Sequence, residues 1–158
     1  MPADAMPLVM EVMTREVFAV APDTSLETAA RLLTERRVSG APVIDAQHRV
    51  VGVISLSDLA DPDRTPSEDP GYPVFYRVTD GWTDELGDYA WSRPGCVRDL
   101  MTAAVISVPA DATVVEAANR MLQLGVHRLL VVHGERLSGV VSTVDLLRAF
   151  ARLHGGDG

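Results

Sequence analysis

The chain has 158 residues, enough for a sizeable core, and 47% of them are hydrophobic with a mean hydropathy of +0.11, as in folded globular proteins. A net charge of −8 and a pI near 4.8 argue against a nucleic-acid partner, whose phosphates need a basic face. All 14 basic residues are arginine, which excludes a Walker-A lysine and Schiff-base chemistry, and the single cysteine, Cys96, excludes an internal disulfide or a multi-cysteine metal site.

Residues 1–13 hold two prolines and the apolar Leu8-Val9-Met10, and read as a loose start. The N-terminus lacks a signal-peptide layout, and no apolar run approaches the roughly 20 residues of a membrane span. A soluble, cytoplasmic protein without a membrane partner is the expectation. Phe18-Ala19-Val20 is a short strand-like run. Thr24 or Ser25 then caps a helix whose apolar face is Leu26, Ala29, Ala30 and Leu33. Two strands follow, over Val38–Asp45 and Gly52–Ser55, and a second helix opens around Ser57-Asp58.

From Asp61 to Pro73 four prolines and several acids predict an exposed, poorly ordered loop. Tyr72 to Trp91 then gathers Tyr72, Phe75, Tyr76, Trp82, Tyr89 and Trp91, and only Phe18 and Phe150 are aromatic elsewhere. Two readings stand: a linker that packs its rings back on the domain, or a recognition or dimer surface, where Trp and Tyr are favoured.

Thr113 and Glu116 have capping-box spacing ahead of a helical stripe of Val114, Ala117, Ala118 and Met121. Leu129-Leu130-Val131-Val132 and Val140-Val141 are two buried strands around the turn His133-Gly134-Glu135-Arg136, where Gly134 is free to take a positive φ. A last helix opens near Val144-Asp145 and runs through Leu146, Leu147, Phe150 and Leu153.

The second half repeats the first. Met13-Thr14 recurs as Met101-Thr102, Asp23 as Asp111 and Ala29-Ala30 as Ala117-Ala118, all at an offset of 88. Gly52 recurs as Gly139 and Asp58 as Asp145 at 87, so the second copy has lost one residue from the turn between its strands. Register held over that length is strong evidence of internal duplication. The predicted organisation is a first repeat with its lead-in over residues 1–60, a Pro/acid-rich then aromatic insertion over 61–95, a second repeat over 96–153 and a tail over 154–158. Each repeat reads β-α-β-β-α, giving an α/β (α+β) unit of two repeats packed about a pseudo-two-fold axis.

These residues resemble a tandem pair of cystathionine β-synthase (CBS) domains, the arrangement called a Bateman module. The Met-Thr pair, the capped helix with paired alanines and the Gly-apolar-apolar-Ser-x-x-Asp ending occur in both halves. The likeness covers about residues 10–60 and 96–153. The run Val-His-Arg-Leu-Leu-Val-Val at Val126–Val132 is especially similar to adenylate-sensing members, including the regulatory γ subunit of the AMP-activated kinase.

The resemblance implies that Asp58 and Asp145 hold ribose hydroxyls, with Ser55 and Ser142 beside them. The chemistry agrees, because a carboxylate accepts from both vicinal hydroxyls and a helix N-terminus favours phosphate. Helix capping would explain each aspartate as well. Arg128, with His127 beside it, is the candidate phosphate clamp. At the corresponding positions the first repeat has Ser39 and Gly40. A pseudo-two-fold would set Arg128 and His127 across from Asp58, and would leave the Asp145 cleft facing Ser39 and Gly40 with no matching cation.

His48, His133 and His154 show no metal-ligand spacing, and no nucleophile–base–acid set stands out, so neither metal nor catalytic residues are expected. The favoured function is a non-catalytic sensor. It would bind AMP, ADP, ATP, S-adenosylmethionine or NADH between the repeats and signal to a partner protein. A small nucleotide-processing enzyme, or a structural dimer module with empty clefts, are the alternatives. The resemblance also implies a homodimer through helix faces, for which Leu146, Leu147 and Phe150 are candidates.

Overall fold

The computed structural model describes residues 6–60, 73–77 and 94–155. In chain order the elements are α1 (Val9–Val12), α2 (Leu26–Glu35), β1 (Gly40–Ile44), β2 (Val50–Ser55), α3 (Leu56–Ala60) and α4 (Val74–Arg77). The second repeat supplies α5 (Val97–Leu100), β3 (Ser107–Pro109), α6 (Val114–Leu124), β4 (Arg128–His133), β5 (Arg136–Ser142) and α7 (Thr143–Gly155). The chain is an α+β fold of two alike halves.

The caps sit where the side chains allow them. Ser25 Oγ accepts the Thr28 N–H at 3.1 Å, and Thr113 and Glu116 form a reciprocal capping box at 3.1 and 3.2 Å. Leu26, Ala29, Ala30 and Leu33 are all buried, so the alanine pair lets α2 lie close against its sheet. Val114, Ala117 and Met121 do the same for α6.

In the second repeat β3 runs parallel to β4, and β4 is antiparallel to β5. Gly134 takes φ 67° at the tight turn joining them. The first repeat pairs β1 with β2 antiparallel, but its expected opening strand at Phe18–Val20 shrinks to a single parallel bridge from Val20 to Val43. Here β1 carries Pro42, which has no N–H to give, whereas its counterpart Leu130 donates to Ile106 at 3.1 Å.

The two repeats exchange their lead-in helices. The N–H of Val9 in α1 donates to Ala112 of the second repeat at 2.7 Å, and Leu8 bridges Thr113. Symmetrically, the N–H of Val97 in α5 donates to Thr24 of the first repeat at 2.8 Å, and Cys96 bridges Ser25. Residues 1–13 are therefore not all a loose start. Val9 is fully buried in the core of the second repeat, and Val97 in that of the first. Burying such a side chain is worth about 1.5–3 kcal/mol, which fixes the helix there.

The Met-Thr pairs complete the exchange. Thr14 bridges Val140 on β5, and Thr102 bridges Val53 on β2. A Cβ on Gly139 would lie 2.5 Å from the Thr14 carbonyl oxygen, and one on Gly52 would lie 2.6 Å from that of Thr102. Glycine begins each Gly-apolar-apolar-Ser motif because a neighbouring backbone passes there.

The proline- and acid-rich stretch falls mostly outside the described residues, as do Tyr72, Trp82, Tyr89 and Trp91. Phe75 and Tyr76 are described, and both are buried, so at these two positions the aromatic segment packs its rings into the domain.

Candidate functional site

At the end of β5 the chain turns directly into α7, and the motif residues there cap the helix. Ser142 N–H donates to Asp145 Oδ2 at 2.9 Å, while Asp145 N–H donates to Ser142 Oγ at 3.2 Å. The first repeat repeats this at the β2–α3 junction. Ser55 N–H and Oγ–H reach Asp58 Oδ2 at 2.9 and 3.0 Å, and Asp58 N–H reaches Ser55 Oγ at 3.3 Å. Capping is therefore realised in both halves, and it commits one carboxylate oxygen of each aspartate.

The two junctions then differ. Ser142 and Asp145 open onto a cleft of about 350 Å³, whereas Ser55 and Asp58 are only 2% and 5% exposed. One wall of the cleft is Thr14, Glu16, Val17 and Phe18, and the other is Val140, Ser142, Val144, Asp145 and Arg148. Val38, Gly40 and Pro42 enter from the first repeat, and Phe75 and Arg128 close it. Asp145 Oδ1 has Arg148 Nη1 at 3.9 Å, and the Asp145 side chain keeps 14% exposure.

Arg128 begins β4 opposite Ser142. Its guanidinium lies 4.0 Å above the Phe75 ring, and its Nε donates to the Phe75 carbonyl. Its Nη2 reaches Ser39 Oγ at 3.3 Å. The arginine thus spans the two repeats at the mouth of the cleft. This corrects the assignment made from symmetry. Arg128 lines the Asp145 cleft together with Gly40, and Arg148 adds a second cation, so that cleft does have positive charge. The cause is α4, whose Phe75 offers the guanidinium a ring and a carbonyl on that side.

His127 is not brought to the same place. Its side chain is exposed and lines a different groove of about 470 Å³, between α6 and α7, with Leu122, Leu147 and Phe150. Its backbone faces inward instead, donating to Tyr76 O at 2.8 Å and accepting from Thr143 N–H at 2.9 Å. His127 lies in the bend just before β4, where its side chain turns outward while that of Arg128 lines the cleft.

Tyr76 is the residue that the motifs did not mark. Fully buried, it donates its hydroxyl to Ala104 O at 2.7 Å and accepts from Ile106 N–H at 3.0 Å. Burial pushes its phenol up to about 12, against smaller lowering effects from the Ile106 N–H and the Arg128 charge. Phe75 meets it edge-on with ring centroids 5.2 Å apart. Composition hinted at these rings, yet nothing local says that they fill a space between the repeats. Glu16 and Phe18 were also missed as lining residues; only Thr14, inside the repeated Met-Thr pair, carried a signal.

Comparison with known proteins gives a consistent answer. A family model described as CBS domain matches residues 9–62 and 97–152. The uncharacterized protein MJ1426 of Methanocaldococcus jannaschii is 30% identical over 152 residues, covering 90% of each chain. The chloroplastic CBS domain-containing protein CBSX1 of Arabidopsis thaliana is 32% identical over 146 residues, which are 88% of this chain but 62% of that protein. The crystal structure of CBSX2 in complex with AMP superposes with a TM-score of 0.66 at 28% identity, covering 92% of this chain and 97% of the other.

Proposed function

The chain belongs to the CBS-domain family, with two copies of the domain, and from that premise we propose that it is a non-catalytic regulatory module binding an adenine nucleotide or related adenosyl ligand. The observation that carries this reading is the cleft at the β5–α7 junction. It sets two carboxylates, Glu16 and Asp145, with a serine and two arginines around about 350 Å³, a volume suited to a small ligand. Asp145 accepts from the ribose hydroxyls through Oδ1, while Arg128, Arg148 and Ser142 meet the phosphate at the α7 N-terminus. Gly40 lines the cleft where a Cβ would lie 2.6 Å from the Ile54 carbonyl oxygen, and Ser39 holds the Arg128 guanidinium. His127 has no place in this reading. The AMP carried by CBSX2, a fold neighbour at 28% identity, makes AMP the first ligand to try.

A ligand bridging the two repeats changes their packing only if it binds the alternative arrangements unequally. We extend the reading to a protein partner that senses this change. A second copy of the chain would pair through the α6–α7 face, where Leu122 and Leu147 are 79% and 66% exposed.

Calorimetry with AMP tests the proposal. Binding is expected in the parent and lost in Asp145→Ala. Arg128→Gln should weaken AMP by roughly ten- to a hundredfold, and adenosine far less, as expected for a charge-assisted phosphate contact. No heat with AMP, ADP, ATP, S-adenosylmethionine or NADH at millimolar concentration would sink the ligand class. Turnover of ATP with magnesium would favour the enzyme reading.

A further inference from the structure

Internal duplication gives the repeat residues of the open cleft counterparts in the other half, and the two sets are in different states. Val38 and Val140 line the open cleft; their counterparts Val126 and Val53 lie in one buried cluster with Phe75 and Tyr76. Asp145 opens onto the cleft, whereas Asp58 is buried against Ser55. The residues 88 positions before Ala104 and Ile106 are Glu16 and Phe18, both in the wall of the open cleft. Among the described residues, the Glu16 carbonyl and the Phe18 N–H have no hydrogen-bond partner in the protein. In the second half the equivalent carbonyl and N–H, at Ala104 and Ile106, are both taken by the Tyr76 hydroxyl.

We infer that α4 is a built-in occupant of the second cleft, its Tyr76 standing where a small-molecule ligand would lie, so that each chain offers one ligand site. A phenol O–H supplies one donor and one acceptor, the same pair that the amidine edge of an adenine presents. By the same correspondence, Glu16 O and Phe18 N–H are the pair that a donor–acceptor edge of the ligand meets in the open cleft. That second statement rests on the proposed ligand class; the occupancy by Tyr76 does not.

The test combines stoichiometry with amide exchange. Calorimetry with AMP should give one AMP per parent chain and none for Asp145→Ala. The double variant Asp145→Ala/Tyr76→Ala should regain one site, and adding Asp58→Ala should remove it. Should the alanine variant not fold, Tyr76→Phe keeps the ring and removes only the hydroxyl. In the parent, the Ile106 amide should exchange with solvent more slowly than the Phe18 amide by about tenfold or more, and Tyr76→Phe should speed it. AMP should slow Phe18 and leave Ile106 unchanged. Two AMP per parent chain would overturn the inference while leaving the ligand class intact. Equal exchange at Ile106 and Phe18, or no response of Ile106 to Tyr76→Phe, would also overturn it. A parent that binds no AMP would remove the proposed ligand, and the exchange contrast would still decide the occupancy.

Discussion

At the scale of the residue, Gly139 and Gly52 show how a motif can carry two messages. Each begins the strand ending that leads to a serine and an aspartate, which invites a functional reading. Each is also pressed by a threonine carbonyl from the partner repeat. We expect Gly139→Ala to cost about 1–3 kcal/mol of stability by overpacking, and Gly52→Ala to cost a similar amount, read from urea unfolding midpoints. Tyr76 gives a second test. Its neutral form is favoured by burial, so the stability it contributes is present below pH 10 and is lost as pH rises through about 12. An ultraviolet absorbance titration of the parent minus Tyr76→Phe should show one phenol ionising near pH 12 or only on unfolding. Ionisation at the ordinary pH would contradict its burial. The sequence marks the serine–aspartate pairs clearly because they recur at fixed spacing. It does not mark Tyr76, which occurs in no repeat and acts through two backbone groups some 30 residues away.

At the scale of the element, the capped helices and the hairpin were legible because their signals are local: a hydroxyl before an apolar stripe, a glycine in a two-strand turn. The destinations of α1 and α5 were not. A four-residue helix with one or two apolar side chains to bury looks the same whichever core receives it, and contacts such as Val9–Ala112 and Val97–Thr24 reveal the exchange. Val9→Ala should therefore destabilise the second repeat, to which it is distant in sequence, by about 1–3 kcal/mol. Hydrogen exchange should show the loss first along α6 and β3, near Thr113 and Ala110. If the amides of α2 and β1 loosen instead, the lead-in is packed on its own repeat in solution.

At the scale of the whole molecule, duplication was the most legible feature and its breakdown the least. The offsets of 88, and of 87 beyond the turn between the strands, predict equal halves, and the backbone obeys them in the bridge pairs Leu8–Thr113 with Ser25–Cys96 and Thr14–Val140 with Val53–Thr102. The insertion that carries α4 has no counterpart, so it is there that the halves part company. The exposed Leu122 and Leu147 on the α6–α7 face support association of two chains. Light scattering at micromolar concentration should give roughly twice the 17.0 kDa chain mass, and Leu147→Glu should return it to one. A single-chain mass for the parent would count against the dimer.

The exchanged helices also set an order of events during synthesis. The first repeat has its own helices and strands once residue 60 has left the ribosome, yet two of its core side chains, Val97 and Leu100, are still to be made. At typical elongation rates of about 5–20 residues per second, the nascent chain spends roughly 2–8 s before α5 emerges. Meanwhile α1 waits with Val9 unburied, because its receiving surface around Ala110, Ala112 and α6 is translated later still. The first repeat can close once α5 has emerged, whereas the second closes only after α6, β4 and β5 have followed and α1 has docked on them.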